Sequence, residues 1–580
     1  MRLELPISVI RDRLGERFVP SRWDVLAFFL VMAFFIYFAE AAHGLTQSLA
    51  KLEEIPISLD PHALIGYSAR TALRMLIAMA LSLIFAFTYA TLAAKSRRAE
   101  TVLVPLLDIL QSVPILGFSS ITIVPFMALT PGKVAGAEMA CIFLIFTSQA
   151  WNMAFSFYQS LRSIPDELQE VARSFRLSPW LRFWRLEVPF GMPPLIWNMM
   201  MSMSGGWFFV VFSEAMSVGH TTVTLPGVGS YVALAVEQRN LGAIGWAIAA
   251  MFVVILVFDQ LLFRPLIAGA DWFRLEQETG FSTSNSWALT MMRRSRLLSL
   301  LTRTFAGLLR SGPKRLQLPE GSPLRKPADP KRNALADKVY YAFLAVLGTV
   351  ALWKAIQFVS SQVDTAEVWR VIGFGLVTLL RVVVLIALAS LLWVPIGVYV
   401  GMRPRVASIV QPVAQFLSAF PANLFFPVVV SAIVVFKASP DVWLSPLMIL
   451  GTQWYILFNV IAGASAIPTD LRHAAENLKI GGWLWWRRVA LPAVFPFYLT
   501  GAITASGGSW NAAINAEVAT WGHERLTATG LGAYISEATD AGDFRRIVLG
   551  IAIMSIFVVL LNRFFWRPLY ERAERKFRLQ

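Results

Sequence analysis

The chain has 580 residues, 56% of them hydrophobic and 15% charged, with a mean hydropathy of +0.60. Soluble domains carry about 45–50% apolar and about 25% charged residues, so the composition argues against a soluble enzyme. One cysteine, Cys141, lies in the apolar run CIFLIF, which leaves no disulfide within the chain and argues against cysteine-based metal or redox chemistry. The excess of Lys+Arg 51 over Asp+Glu 36, a net +15, concentrates in residues 293–332. In a membrane protein that stretch reads as a cytoplasmic segment rather than a nucleic-acid arm.

In chain order, Arg2, Arg11, Arg13, Arg17 and Arg22 precede an apolar run at 25–38, read as an uncleaved first span rather than a signal peptide. A span needs about 20 apolar residues. Runs of that kind follow near 68–93, 102–129, 134–158, 189–217 and 243–266, then near 338–359, 370–400, 407–436, 441–464, 491–518 and 546–566. The fold class expected is an all-α polytopic membrane protein of about 12 helices in two six-helix halves. The loops bearing Lys95, Arg97 and Arg98, and Arg162, Arg173, Arg176, Arg182 and Arg185, fall on the side of the amino-terminal leader, so both termini are expected in the cytoplasm. The opposite loops, 42–67 and 359–368, are poor in Lys and Arg.

The halves repeat one another in register. Adding 303 carries Trp151 to Trp454, Pro165 to Pro468, Ala172 to Ala475, Trp180 to Trp483, Pro189 to Pro492, Trp207 to Trp510 and Glu214 to Glu517. Upstream the shift is 307, carrying Thr71 to Thr378, Arg74 to Arg381, Pro105 to Pro412 and Pro114 to Pro421. Apolar runs matched by chance do not keep Trp, Glu, Arg and Pro in one register. The organisation expected is a first domain at 1–267, a basic cytoplasmic linker at 268–336 and a homologous second domain at 337–580, in the same orientation because each has an even number of spans.

No chemistry of its own is visible. Gly132-Lys133 is followed by Val134, so no phosphate loop forms there, and neither an H-e-x-x-H metal pattern nor a G-x-S-x-G elbow occurs. Catalytic residues, metal ligands and cofactors are not expected. Two loops, 165–187 and 468–490, instead combine an acidic start, helical spacing of charged and apolar residues, and closing prolines. Each suits a short helix on the membrane surface that offers one face to a partner or to lipid headgroups.

These loops resemble the Glu-Ala-Ala loop of binding-protein-dependent ABC importer permeases. Glu170-Val171-Ala172 and Val188-Pro189 take the motif places in the first half, and His473-Ala474-Ala475 and Leu491-Pro492 in the second, while the family's glycine is Arg176 and Lys479. The stretches ILQSVPILGF (109–118), GGWFFVVFSEAMSVG (205–219) and SGGSWNAAINAEV (506–518) look most like the branch importing nitrate, sulfonates or taurine. The resemblance implies a type I importer permease in a bacterial cytoplasmic membrane. Its partners would be two cytoplasmic ATPase subunits and an external solute-binding protein, besides membrane lipid. The ATPase-coupling residues would be Glu170, Ala172, Arg176, Trp180 and Pro189, with His473, Ala475, Lys479, Trp483 and Pro492. The differences between Glu170 and His473 make the two loops unequal. A 12-span secondary transporter with parallel halves is the alternative.

A pathway between the halves would be lined by the polar groups of the spans: Gln111, Ser112, Ser204 and Trp207, and Ser418, Asn423, Ser506, Trp510, Asn511 and Asn515. Ionisable residues in a bilayer are costly when unpaired. Arg74 lies about six residues into its span, roughly 9 Å along the helix, and Glu214 lies at a similar depth, 25 positions after Pro189 (214 minus 189). Contacts between Arg74 and Glu214 and between Arg381 and Glu517 are expected, bracing and gating the external side; snorkelling of each to water is the alternative.

Overall fold

The computed structural model describes residues 23–26, 28, 29, 31, 32, 57–112, 114–218, 221–270, 290, 291, 295 and 330–577. Most of the first expected span and most of the basic linker therefore lie outside the described residues. In the first half the elements are α1 (Ala63–Lys95), α2 (Arg97–Ser112), α3 (Ile115–Leu129), α4 (Val134–Arg162), α5 (Asp166–Ser174), α6 (Pro179–Ser213), the hairpin β1–β2 (Ala215–Val218, Thr221–Thr224), α7 (Val228–Glu237) and α8 (Leu241–Ile267). The second half gives α9 (Pro330–Ser360), α10 (Thr365–Gly401), α11 (Pro404–Ala419), α12 (Ala422–Phe436), α13 (Pro440–Leu450), α14 (Gln453–Ser465), α15 (Thr469–Asn477), α16 (Gly482–Ala516), the hairpin β3–β4 (Val518–Trp521, Glu524–Thr527), α17 (Leu531–Asp540) and α18 (Phe544–Ala573).

Small side chains decide how these helices pack. On α1, Thr71, Ala78, Ser82, Ala86 and Ala90 are buried at helical spacing, while Leu81, Ile84 and Leu92 are exposed on the opposite side. Small residues let backbones approach when lipid on the other face is as apolar as leucine, and α1 accordingly lies against α4. Between the halves, α16 packs on α3 and, as its repeat equivalent, α6 packs on the first turn of α12, as well as on α11. Gly117 permits close approach of α3 to α18, since a methyl group there would lie 2.7 Å from Ile551 Cγ1.

Proline breaks the helices where the register says it should. Pro114 takes an extended backbone (ψ 116) before α3, and its counterpart Pro421 (ψ 109) separates α11 from α12, which bend by 71°. A second bend of 46° separates α13 from α14. Wide π turns recur at Phe183–Glu187 and Trp486–Ala490, and at Asp259–Phe263 and Leu561–Trp566, so they belong to the repeated fold.

Eight helices among the described residues are long and apolar enough to cross a membrane, or ten if each bent pair is one span. The expected twelve is not reached: the 25–38 run is mostly undescribed and the 102–129 run is two helices, α2 and α3. The all-α class holds, with two short hairpins added that the sequence reading did not place. Residues 215–217 and 518, read as the ends of spans, instead open antiparallel hairpins with Ala215 opposite Thr224 and Val518 opposite Thr527. The β-branched run Thr221 to Thr224, and Val518, Thr520 and Trp521 on the other hairpin, favour that pairing over another helical turn.

Candidate functional site

Each half contains an ionic cluster below its hairpin, built on a buried glutamate, Glu214 or Glu517. Arg74 Nη1 donates to Glu214 Oε1 at 2.7 Å and to the Pro226 carbonyl at 3.0 Å. Its Nε and Nη2 donate to both oxygens of Glu138, at 2.7 and 2.6 Å. Arg74 is 4% exposed and Glu214 0%, so the arginine turns into the protein rather than toward headgroups. Glu214 also accepts from Thr71 Oγ1 (2.6 Å) and the Gly229 amide (2.7 Å). In the second half Arg381 Nη1 donates to Glu517 Oε1 at 3.1 Å and Nη2 to Asp441 Oδ1 at 2.8 Å. Glu517 accepts from Thr378 Oγ1 and the Gly532 amide, both at 2.8 Å. The second carboxylate of each cluster was missed in the sequence, although 138 plus 303 is 441 and the pair keeps the register. Gly227 and Gly530 lie directly over the Glu214 and Glu517 carboxyl groups, where any side chain would collide.

A cavity of about 800 Å³ opens between the halves. Of the pathway candidates, Gln111, Ser204, Ser506 and Asn511 line it, joined by Thr147, Ser148, Asn152, Thr452 and Tyr455, which sequence reasoning passed over. Gln111 Nε2 donates to Asn152 Oδ1 at 2.6 Å, one lining amide holding another. The side chain of Ser112 lies outside the described residues. Trp207 and Trp510 do not line the cavity; they are buried against Phe258 and Phe557, with ring centroids 5.1 and 6.2 Å apart. Ser418 turns its hydroxyl to the Gln415 carbonyl of its own helix (2.8 Å), and Asn515 lies outside the lining as well. Asn423, also outside it, donates to the Phe208 carbonyl of the other half at 3.1 Å. Asn511 accepts from the Ile115 amide, the first free N–H after the Pro114 break, at 2.6 Å. Both helix breaks are thus tied across to the other half by an asparagine of the second half.

The two loops fold alike and differ in their anchoring. After α5 the Leu177 amide bonds the Ala172 carbonyl (3.1 Å) and the Arg176 amide bonds Arg173 (2.9 Å); after α15 Ile480 and Lys479 repeat this with Ala475 and Glu476, both at 2.9 Å. This is the Schellman closure, whose C′ residue is left-handed, and Arg176 (φ 48) and Lys479 (φ 52) occupy it. That geometry is why the resembling family keeps glycine there. Ala172 and Ala475 are buried, Glu170 and His473 are exposed, and Phe175 and Trp180 are matched by exposed Leu478 and Trp483. Pro189 and Pro492 lie inside α6 and α16 directly after the π turns, where the missing proline N–H interrupts the regular ladder of hydrogen bonds. Buried Glu187 stands 2.8 Å from Lys95 Nζ and 3.2 Å from Arg182 Nε, a pairing of charges without hydrogen-bond alignment. The corresponding residues of the second half are Ala490, Met402 and Trp485, so the second loop has no such tie.

Comparison with known proteins agrees with the duplicated architecture. The family model described as binding-protein-dependent transport system inner membrane component matches twice, at residues 78–264 and 393–578. The nitrate import permease protein NrtB of Leptolyngbya laminosa is 27% identical over 202 residues, 35% of this chain and 67% of that protein. The bicarbonate transport system permease protein CmpB of Synechococcus elongatus is 27% identical over 201 residues (35% and 68%), and the taurine transport system permease protein TauC of Escherichia coli is 25% identical over 200 residues (34% and 67%). With both halves matched, the chain belongs to the binding-protein-dependent transport system inner membrane component family as two permease domains fused in one polypeptide.

Proposed function

We propose that this chain is the complete membrane pore of an ATP-driven importer, with α5 and α15 docking on two separate ATPase subunits and a solute-binding protein delivering a small anion from outside. The observation that carries the reading is the pairing of a cavity between the two halves with one surface loop per half, each presenting a large exposed apolar pair, Phe175 with Trp180 and Leu478 with Trp483. Large exposed apolar residues flanking the end of a short polar helix are what a partner's cleft can bury. The loops and both termini then lie in the cytoplasm, and the hairpins with the Arg74 and Arg381 clusters lie on the external side. The sequence holds no phosphate loop, so hydrolysis falls to the partners. The relatives named for nitrate, bicarbonate and taurine supply the class of cargo.

The test is reconstitution of the chain in vesicles with its ATPase subunits and binding protein, followed by uptake of nitrate, bicarbonate and taurine with and without ATP. Uptake of one of the three that requires ATP and both subunits is expected. Uptake driven by an ion gradient without them would establish the secondary-transporter reading instead.

A further inference from the structure

The cavity is lopsided. Helix α18 contributes residues from Val558 to Tyr570 to its wall, whereas the repeat-equivalent α8 contributes none. Three successive residues of a regular helix spread over about 200° of its surface. Leu561, Asn562 and Arg563 nevertheless all line the cavity, because they fall in the wide turn Leu561–Trp566. Wide turns of this kind concentrate at functional sites.

The charge at that turn differs between the halves. At the shift of 303, Asp259 and Gln260 become Asn562 and Arg563, so one carboxylate is lost and one guanidinium gained. Asp259 is paired with Arg264 at 3.2 Å, and Arg567 with Glu571 at 3.3 Å. Among the described residues no carboxylate pairs with Arg563, and neither Asp nor Glu lines the cavity. Trp566, 7% exposed, and Trp151 line it too, and the buried indole N–H of each has no hydrogen-bond partner. A cytoplasmic excess of basic residues accounts for an arginine near a helix end. It does not account for the removal of the acid beside it or for donors without acceptors around the same space.

We propose that Arg563, with the indole Nε1 of Trp566 three residues on, forms a subsite for a small monovalent oxyanion on the wall built by α18, so that the charge holding the cargo comes from the second half alone. A guanidinium fork and an N–H suit a carboxylate-like, nitrate-like or sulfonate-like group. The subsite rests on the small-anion reading above for the choice of cargo.

The full chain in detergent, carrying Cys141→Ser and Asn562→Cys, presents a single thiol beside Arg563; Thr504→Cys on another wall of the cavity serves where Asn562→Cys does not fold. Its modification rates by the anionic sulfonatoethyl and cationic trimethylammonioethyl methanethiosulfonates are compared. Arg563→Gln, which installs the first half's residue, is expected to lower the anionic-to-cationic ratio about tenfold, the effect of one charge several ångströms away acting on two oppositely charged reagents. Arg563→Lys is expected to keep the ratio within about threefold of the starting value. Nitrate should protect the thiol in the Arg563 protein and lose that protection in Arg563→Gln. A ratio unchanged by Arg563→Gln, or nitrate protection that survives it, overturns the subsite. A chain with the charge selectivity and the protection that carries none of nitrate, bicarbonate and taurine in the uptake assay overturns the choice of cargo and leaves the subsite standing.

Discussion

Replacement of Arg74 by methionine, which keeps length and removes charge, should destabilise the protein more than the same change at Arg381. Arg74 is 4% exposed and makes four short contacts, three to carboxylate oxygens of Glu138 and Glu214 and one to the Pro226 carbonyl. Glu214 is 0% exposed and Glu138 16%, so losing the cation strands two carboxylates, and breaking a buried pair from one side costs about 3–5 kcal/mol. Arg381 is 11% exposed and its partner Asp441 53%, so that arm is worth only about 0.2–1 kcal/mol. Glu517 stays buried but keeps three donors, Thr378 and the amides of Gly532 and Ala533, which leaves a loss of about 2–3 kcal/mol. The assay is thermal unfolding of the purified chain in detergent followed by tryptophan emission, with the midpoints of the two variants compared. Adding Glu138→Gln and Glu214→Gln to Arg74→Met removes the stranded charges and should restore much of the loss, a coupling that a cycle of variants isolates. If Arg381→Met lowers the midpoint as much as Arg74→Met, or the added glutamines make matters worse, the assignment of the cost to unpaired buried carboxylates is wrong.

Glycine at the left-handed loop positions should help the fold: Arg176→Gly and Lys479→Gly relieve φ values of 48 and 52, worth about 1 kcal/mol each, and hydrogen exchange at Leu177 and Ile480 should slow accordingly. Lys95→Met should cost about 1–2 kcal/mol by leaving Glu187, 2% exposed, with only Arg182, discounted because Lys95 is 43% exposed. Combining it with Glu187→Ala reproduces the Met402 and Ala490 arrangement of the second half and should recover most of the loss in the same thermal assay; no recovery would count against the ionic tie. Asn511→Leu should cost about 1–3 kcal/mol because the Ile115 amide loses its acceptor. Asn423→Leu should cost less, since the Phe208 carbonyl it serves lies inside a helix and keeps its own ladder bond.

Much of this architecture was legible in one dimension. Hydropathy marks spans because lipid offers no partner to backbone groups, which forces long apolar helices. The duplication is visible because a register survives as identical letters, and it carried Arg74 with Arg381, Glu214 with Glu517, and both loops into matching places. The depth argument for Arg74 and Glu214 needed only rise per residue and the cost of an unpaired charge. Other features depend on which helix meets which, and letters do not record that. Glu138 and Asp441 each stand alone in an apolar run, and each acquires its meaning only when α4 or α13 places it beside an arginine 64 or 60 residues away. Asn511 differs from its repeat partner Phe208, so the register hides its bond to Ile115, which exists only because α16 packs on the break in the opposite half. Tryptophans 207 and 510 look like lining because they are large, amphipathic and repeated, yet packing spends them on the core. The position of the cavity was least legible of all. It follows from small inequalities between two nearly equivalent halves, and only the packed chain shows that the space opens beside α18 and not beside α8.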